Sequence, residues 1–333
     1  MTRSPVGLLG TNGVPVRMML PKPRGAYSAH VFEALRSEPA RLAGQHTPTA
    51  ESPEDEAIAL WALYELHYRG FEDVDEELEW HPAVIGARGG LEADLEQRLR
   101  ARWSGHEPEG DFAEDFFRFV EAYDGPSLAR FVQTEATEEQ VLDLLRMRSI
   151  YHLKEADPTA WVVARLDARP KAALMELQFD EYGAGNPNSL HHHLFARGLE
   201  AVGLRSEYGA YIDDVPAEIL EQNNAMSLFG LHRRLRGAAL GHLAAFEATS
   251  SMPSRRLAAG LERLGFDDAM VGYYREHVTA DAVHEQVAVR AICGALLEQE
   301  PSLRDDVFFG AFTCSDLEAR TARHLLGRWE EAA

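Results

Sequence analysis

A short segment near the C-terminal end of the chain combines two histidines and an aspartate at helical spacing. His277, Asp281 and His284 stand at positions i, i+4 and i+7 of the stretch GYYREHVTADAVHEQVA. At about 100° per residue, the three side chains share one face of a helix with the apolar residues of the stretch. A divalent transition metal would compensate such buried polar groups, because imidazole and carboxylate are its common ligands. Core residues whose polar groups are hydrogen-bonded within the protein would produce the same pattern, so the triplet alone leaves both explanations open.

Three glutamates repeat this pattern on other predicted helices. Glu155, Glu181 and Glu247 each continue an apolar face, where a lone carboxylate would cost several kcal/mol. A pair of irons or manganese ions could supply the countercharge, since such a pair takes about four carboxylates and two or more histidines from facing helices. Alternatively, Arg148 and Arg236, which lie on two of the same faces, could form ordinary ion pairs with these glutamates.

A third imidazole follows a glycine-rich break in the chain. His191 begins a predicted helix just after Gly183-Ala184-Gly185. Its neighbours His192 and His193 could point inward in its place, so the residue that supplies the third imidazole stays open on spacing alone.

One well-known diiron arrangement does not fit the spacing. Ferritin-like sites use two Glu-x-x-His motifs, one on each of two helices. None of the 14 histidines has a glutamate three residues before it. The His-x3-Asp-x2-His segment therefore requires a different helical scaffold.

Taken in order, the motifs resemble those of the heme-oxygenase-like diiron oxidases, a family of iron-containing redox enzymes. That family carries a glutamate on its first core helix, then Glu-x9-His, a glutamate on a central helix, and His-x3-Asp-x2-His. The corresponding residues here are Glu155 in YHLKEADP, Glu181 and His191 with nine residues between them, Glu247 in HLAAFEATSS, and His277, Asp281 and His284. The resemblance covers about residues 111–329.

The resemblance implies an all-α fold, a seven-helix heme-oxygenase-like bundle with an N-terminal helical extension. Residues 1–110 would form an N-terminal arm with peripheral helices, and residues 111–333 the diiron bundle. The implied cofactors are two irons rather than heme, with O2 as cosubstrate and electrons from an external donor.

The activity implied by the resemblance is oxidation of a small metabolite, with a free amino acid as the preferred candidate, in specialised-metabolite biosynthesis. C–H abstraction would lead to desaturation, C–C cleavage or cyclisation. One alternative is N-oxygenation of an amine or amino acid at the same diiron site. A second alternative is a metal-free small-molecule binding protein on the same bundle, since a fold does not determine a function.

Ligand chemistry suggests a division of the seven ligands between the two irons. We expect Glu155, Glu181, His191 and His284 to hold one iron, with Glu181 as a possible bridge. Glu247, His277 and Asp281 would hold the other.

Further polar residues are candidates for the substrate pocket or for contacts behind the ligands. Tyr182, Tyr273, Tyr274 and His242 lie near the motifs in sequence, although ordinary core packing would explain them equally well. Arg148 and Arg236 are candidate countercharges for the carboxylate of an amino acid.

The elements that must position these residues are helices. Apolar residues recur with helical periodicity and show almost no alternation of period 2, so a sheet is not expected. Helices are predicted at residues 28–36, 54–69, 90–103, 111–123, 137–156, 159–166, 171–182, 190–202, 216–224 and 227–251. Ser52-Pro53 and the Thr137/Gln140 capping box mark two of their starts.

Composition limits the remaining possibilities. The chain has 333 residues, 45% of them hydrophobic, and a formal net charge of −21. Such acidity argues against a nucleic-acid or anionic-membrane partner. Two cysteines, Cys293 and Cys314, fit a reducing compartment, and neither a signal peptide nor a membrane-spanning stretch is evident. We therefore expect a cytoplasmic protein with a small-molecule substrate, an electron donor that need not be specific, and possibly a homodimer.

Overall fold

The computed structural model describes residues 17–44 and 47–331, except for the side chains of residues 279–283. All the regular secondary structure within those residues is helical. This confirms the all-α class expected from the sequence. Within the same residues, no helix has the length and apolar character needed to cross a bilayer.

The helices are numbered here in chain order. They are α1 (Ala26–Ser37), α2 (Pro53–Glu65), α3 (Pro82–Arg102), α4 (Phe112–Glu121), α5 (Leu128–Thr134), α6 (Glu138–His152), α7 (Asp157–Val163), α8 (Ala168–Glu181), α9 (His191–Ala201), α10 (Ala217–Leu231), α11 (Arg236–Leu264), α12 (Asp268–Gln286), α13 (Ala295–Gln299) and α14 (Arg304–Glu331). A π-helical segment, Val287–Gly294, joins α12 to α13.

The chain divides into two compact units. The first, termed the N-terminal unit, comprises Met1–Asp94 and Glu207–Leu220, and the second, termed the bundle unit, comprises Leu95–Ser206 and Glu221–Ala333. Every residue of the ligand set predicted above falls in the bundle unit.

In the N-terminal unit, two capping interactions fix the starts of α1 and α2. The Ser52 hydroxyl accepts a hydrogen bond from the backbone N–H of Asp55 at 3.2 Å, which caps α2 as expected. The buried Asp55 carboxylate in turn accepts from the backbone N–H of Ser28 at 2.7 Å. Asp55 lies in the first turn of α2 and accepts a hydrogen bond from the first turn of α1. This carboxylate therefore holds the N-terminal ends of the two helices together.

In the bundle unit, α11 is the central helix and packs against α5, α12 and α14. Its approach to α14 depends on two glycines. A Cβ atom at Gly241 would lie 1.9 Å from the Val307 carbonyl oxygen, and one at Gly310 would lie 2.0 Å from the Ala238 carbonyl oxygen. Any side chain there would push the two backbones apart. The close packing sets the position of Glu247 on α11.

Several helix boundaries differ from the sequence predictions, and three of the differences have a clear physical cause. The third helix begins at Pro82 instead of residue 90, because proline suits the first turn and the helix continues through Gly86, Gly89 and Gly90. The break predicted near residues 225–226 lies instead after Leu231, where Arg165 donates to the Leu231 carbonyl at 2.8 Å. The eleventh helix passes through Pro253, since packing on its neighbours outweighs the lost backbone hydrogen bond.

Candidate metal centre

Glu155 lies in a turn, and not on α6 as its spacing suggested. That helix ends at His152, four residues short of the predicted end. Pro158 explains the early end, because it has no N–H to donate to the Lys154 carbonyl and its ring would clash there. The turn nevertheless buries Glu155, whose residue surface is 8% exposed.

A tight loop carries the chain from Glu181 at the end of α8 to His191 at the start of α9. Gly183 has a φ of 75°, and a Cβ atom on it would lie 2.6 Å from the Leu190 nitrogen. Only glycine accommodates both constraints. The loop returns His191 to Glu181, with 3.0 Å between Nδ1 and Oε2. Of the three consecutive histidines, His191 is the buried one, and His192 and His193 are half-buried.

Glu155, His191 and His277 form the first of two ligand groups, termed group A. Their ligand atoms all lie within 4.8 Å of one another. The Oε1 atom of Glu155 is 3.5 Å from Nδ1 of His191 and 3.6 Å from Nε2 of His277. The other ring nitrogen of His277, Nδ1, lies 2.9 Å from the Tyr273 carbonyl oxygen. Because Nδ1 donates its proton to that carbonyl, Nε2 is the ring nitrogen that would bind a metal beside Glu155.

Glu181, Glu247 and His284 form the second group, termed group B, under the same 4.8 Å limit. Nδ1 of His284 is 3.7 Å from Oε1 of Glu181 and 3.6 Å from Oε2 of Glu247. The opposite nitrogen, Nε2, donates to Asp180 at 3.3 Å. Asp180 thereby orients the imidazole. The sequence analysis missed this role, and the only available signal was the position of Asp180 next to Glu181.

Glu181 connects the two groups. Its Oε2 atom faces His191 of group A, and its Oε1 atom faces His284 within group B. One carboxylate thus presents a separate oxygen to each group, which is the arrangement of a bridging ligand.

Six of the seven predicted ligands therefore converge, but their grouping differs from the expected division. His277 lies with Glu155 and His191, while His284 lies with Glu181 and Glu247. The side chain of Asp281 lies outside the described residues, so its role as the seventh ligand stays a prediction.

Several buried ligand atoms lack a hydrogen-bond partner within the described residues. They include Oε1 of Glu155, Nδ1 of His191 and Nδ1 of His284. Nδ1 of His191 is only 3.0 Å from Glu181 Oε2, but the two groups are not aligned as a hydrogen bond. Burying such atoms is costly unless something pairs with them. Imidazole nitrogens and carboxylate oxygens in this number fit a pair of divalent first-row transition metals.

The carboxylates create a strongly negative field at the ligand groups. Burial alone would lower the pKa of His191, but the nearby carboxylates of Glu155 and Glu181 outweigh it and raise this pKa to about 11. Burial is outweighed in the same way at His277, chiefly by Glu155, and its pKa rises to about 9. The pKa of His284 also rises to about 9, against burial, chiefly because of Glu247. The field that stabilises protonated imidazoles would equally stabilise bound cations.

Two side chains behind the ligands hold the second oxygen of Glu155. His152 Nδ1 donates to Oε2 of Glu155 at 2.9 Å, and the Tyr273 hydroxyl donates to the same atom at 2.8 Å. Oε1 is thereby left toward His191 and His277. Tyr273 was a sequence candidate for this kind of contact. This role of His152 was not predicted from the sequence.

The other candidate residues contact side chains outside the two ligand groups. The Tyr182 hydroxyl donates to Asp157 at 3.0 Å. Arg236 pairs with Glu300, with 3.2 Å between Nε and Oε1, and does not reach either ligand group. Arg148 pairs with Glu318, so the predicted alternative in which these arginines neutralise the glutamates of the motifs does not occur.

Two cavities adjoin the ligand groups. The smaller, of about 40 Å³, is lined by Glu155, Glu181, Glu247, His277 and His242, among others. The larger, of about 240 Å³, reaches His277 and is also lined by His152, Tyr273, Tyr274 and Arg148. His277 lines both cavities, so each has access to group A.

The comparison with protein families identifies the chain. Residues 142–319, more than half of the chain, match the sequence model of a family described as iron-containing redox enzyme. The chain belongs to the iron-containing redox enzyme family. The matched residues contain all six members of groups A and B together with Asp281. The family assignment confirms the resemblance drawn from the motifs.

Individual relatives add detail. The chain is 29% identical over 146 residues to nitrosourea synthase from Streptomyces achromogenes subsp. streptozoticus, a match covering 44% of this chain and 31% of that protein. This iron-containing redox enzyme therefore matches about a third of that relative's length.

Among solved structures, the chain is similar to two crystal structures of a CADD-like protein of unknown function from Nostoc punctiforme PCC 73102. One, at 2.00 Å resolution, has a TM-score of 0.49 and 16% identity, covering 72% of this chain and 99% of that one. The other, at 1.35 Å resolution, has a TM-score of 0.48 and 15% identity, covering 72% and 96%.

Proposed function

We propose that this iron-containing redox enzyme is an O2-dependent non-heme diiron oxidase that acts on a small metabolite, most simply a free amino acid. The observation that carries the proposal is the convergence of groups A and B, with one oxygen of Glu181 facing each. Two adjacent sets of three ligands suit two metal ions better than one, because each set already offers both imidazole and carboxylate.

In this proposal each group holds one iron. Glu155, His191 and His277 bind the first, Glu181, Glu247 and His284 bind the second, and Asp281 completes the set as the sequence predicts. Bound iron would supply the activation of O2 needed to oxidise an unactivated C–H bond, with electrons from an external donor that need not be specific.

The protein's own contribution is orientation and the exclusion of water. Tyr273 and His152 fix the Glu155 carboxylate, and Asp180 fixes the His284 ring. All six ligands are buried except Glu181, which is half-buried. Burial of the ligands limits the access of bulk solvent to the reacting atoms, and the larger cavity, which His277 lines, would hold a substrate close to group A.

Iron content is the first test. Protein loaded with Fe(II) under anaerobic conditions should bind two irons per chain. His191→Ala should lower this to one or fewer, whereas His193→Ala, two residues along the same helix, should retain two. Less than one iron per chain in the unmodified protein would favour the metal-free binding protein instead.

Turnover is the second test. Iron-loaded enzyme with a chemical reductant should consume O2 faster in the presence of its substrate, and the twenty standard amino acids form the first panel. Mass spectrometry distinguishes the outcomes, because desaturation or cyclisation removes two hydrogens and oxidative C–C cleavage shortens the carbon chain. A panel without any acceleration would contradict the amino-acid assignment.

N-oxygenation is the second candidate, and the likeness to nitrosourea synthase favours it. A nitrosourea carries a nitroso group on nitrogen, so its formation involves oxidised nitrogen. If the present enzyme acts in this way, its product gains one oxygen atom at a nitrogen, and 18O2 labels that atom. A product without the label would exclude this candidate.

A further inference from the structure

The lining of the larger cavity includes an ion pair. Arg148 on α6 pairs with Glu318 on α14, and both side chains line the cavity. Gln222 on α10 donates its Nε2–H to the other oxygen of Glu318 at 3.2 Å. Three helices thus bring a cation, an anion and an amide to one wall of a space of about 240 Å³.

Both members of the pair carry their charge. Burial favours the neutral form of Arg148, but Glu318 outweighs it and the pKa of Arg148 is raised. Burial would raise the pKa of Glu318, and Arg148 outweighs this and lowers it. The side chain of Glu318 is 40% accessible and that of Arg148 is 18% accessible. Because both line the cavity, this accessible surface is available to a molecule inside it.

The same cavity also reaches the metal side. His277 of group A lines it, together with His152 and Tyr273, which hold Glu155. Two buried polar atoms on this wall, His152 Nε2 and the Tyr274 hydroxyl, have no hydrogen-bond partner in the described part of the chain.

The other walls of the cavity are mainly apolar. They include Leu128, Phe246, Pro253 and Leu257. The space is smaller than the roughly 300–1,000 Å³ of pockets that hold drug-sized ligands. A small molecule with a charged head and an apolar chain therefore matches the cavity.

We propose that the Arg148–Glu318 pair is a head-group site for a zwitterionic substrate. The substrate carboxylate binds Arg148, its ammonium group binds Glu318, and its apolar chain extends toward His277. This inference rests on the proposed oxidase function and identifies the residues that select the substrate.

The pair selects against molecules with a single charge. A fatty acid that occupied Arg148 would separate it from Glu318 and leave that carboxylate without a countercharge, and an amine would leave Arg148 without one. Solvent screens part of this charge, because the Glu318 side chain is 40% accessible, but an uncompensated charge there still disfavours either molecule. A zwitterion replaces both halves of the ion pair at once.

Ligand binding tests the site. Binding to the iron-loaded protein is measured anaerobically by isothermal titration calorimetry with the twenty standard amino acids and norleucine. The tightest ligand is then compared with its own deaminated acid and decarboxylated amine, which for norleucine are hexanoate and pentylamine. The amino acid should bind at least 10-fold more tightly than either analogue, since a hydrogen bond to a charged group is worth about one to two orders of magnitude in affinity.

The charge-free variant Arg148→Gln/Glu318→Gln should lose this preference and bind the amino acid about 10- to 100-fold more weakly. The matched control is Arg236→Gln/Glu300→Gln, which neutralises another Arg–Glu pair of the bundle unit and should leave affinity unchanged. Should the double variant fail to fold, Arg148→Lys offers a second measurement. It keeps the charge but loses the planar fork, so the preference over the amine should persist with weaker binding.

The inference is overturned if no zwitterion binds, if either analogue binds as tightly, or if the control variant weakens binding equally. Iron per chain is measured on the same samples. Failure of the head-group site with two irons bound would leave the oxidase function standing, whereas failure to bind iron would contradict the oxidase itself.

Discussion

The Tyr273 hydroxyl donates a hydrogen bond of 2.8 Å to Oε2 of Glu155, which joins α12 to the turn after α6. One helical turn later, Nε2 of His277 lies 3.6 Å from the other oxygen of the same carboxylate. A single helix therefore orients the carboxylate of group A and also supplies a neighbouring imidazole. Group A depends on the packing of α12 as much as on its own ligands.

Removing the Tyr273 hydroxyl should loosen this arrangement. Groups behind a metal ligand typically contribute about 10- to 100-fold in metal affinity, so Tyr273→Phe should weaken Fe(II) binding by that factor. Loss of one hydrogen bond should cost about 1 kcal/mol of unfolding free energy. Competition with a colorimetric chelator measures the affinity, and urea unfolding measures the stability.

Tyr274→Phe is the matched control for that experiment. Its hydroxyl is buried but has no hydrogen-bond partner within the described residues, so iron affinity should not change. Equal effects of the two substitutions would show that aromatic packing, and not the bond to Glu155, supports group A.

The two groups should lose iron separately. His277→Ala removes a ligand of group A and His284→Ala one of group B, so each variant should retain about one iron per chain. The double variant should retain none while its helicity by circular dichroism is preserved. Wholesale unfolding of a single variant would mean that the histidine serves packing first.

Asp281 can be assigned in the same series. Asp281→Ala should lower iron content by about one, as its place in the His-x3-Asp-x2-His motif predicts. Combining it with His277→Ala and with His284→Ala shows which iron it holds, since loss of a second ligand of the same iron removes no further metal. Two irons in Asp281→Ala would contradict the prediction.

The loop between Glu181 and His191 should tolerate no side chain at Gly183. A residue with positive φ costs about 1–2 kcal/mol when glycine is replaced, and here the added Cβ atom would also meet the Leu190 nitrogen at 2.6 Å. Gly183→Ala should therefore lower the free energy of unfolding by this conformational cost and, in addition, by about 1–3 kcal/mol for the steric clash. It should also weaken iron binding, because His191 is displaced.

Gly203→Ala separates the two effects. Gly203 also has a positive φ, of 78°, but an added Cβ atom would meet nothing within 4 Å. This variant should show only the conformational cost and should keep its iron affinity. Thermal unfolding and iron titration of both variants give the comparison, and equal iron affinities would contradict the role of the loop.

His242 should make the metal-free protein less stable in mild acid. Burial lowers its pKa from 6.5 to about 4, so between these values the unfolded chain binds a proton that the folded chain does not. Stability therefore rises with pH across this window and is lost as pH falls from 6.5 toward 4. The difference amounts to on the order of 3 kcal/mol at the acid end.

Urea unfolding of metal-free protein at pH 7 and pH 4.5 measures this dependence. His242→Gln should show a smaller loss of stability between the two pH values, because glutamine does not titrate. Identical losses in both proteins would assign the acid sensitivity to other groups.

The sequence could identify the ligand types because each motif carries its own local constraint. Glu-x9-His and His-x3-Asp-x2-His are spacings within one or two adjacent elements, and polar residues on apolar faces reveal their burial. The predicted end of α6 was four residues too late. Pro158 lies beyond the predicted end, but its missing N–H and its ring act on the Lys154 carbonyl, four residues earlier in the chain. The roles of Asp180 and His152 were not predicted, because a hydrogen bond that orients a ligand produces no periodic pattern in the sequence.

The sequence determined the all-α class, since helical periodicity is a local property of the chain, and the resemblance of its ordered motifs to a known family indicated the family and the acids and imidazoles that converge. Tertiary structure decided which ligands share a group, because His277 and His284 lie seven residues apart on one helix and meet partners from different elements. It also decided that Arg148 lines the larger cavity while Arg236 pairs elsewhere with Glu300. Those outcomes depend on the packing of α6, α10, α11, α12 and α14, which joins residues far apart along the chain.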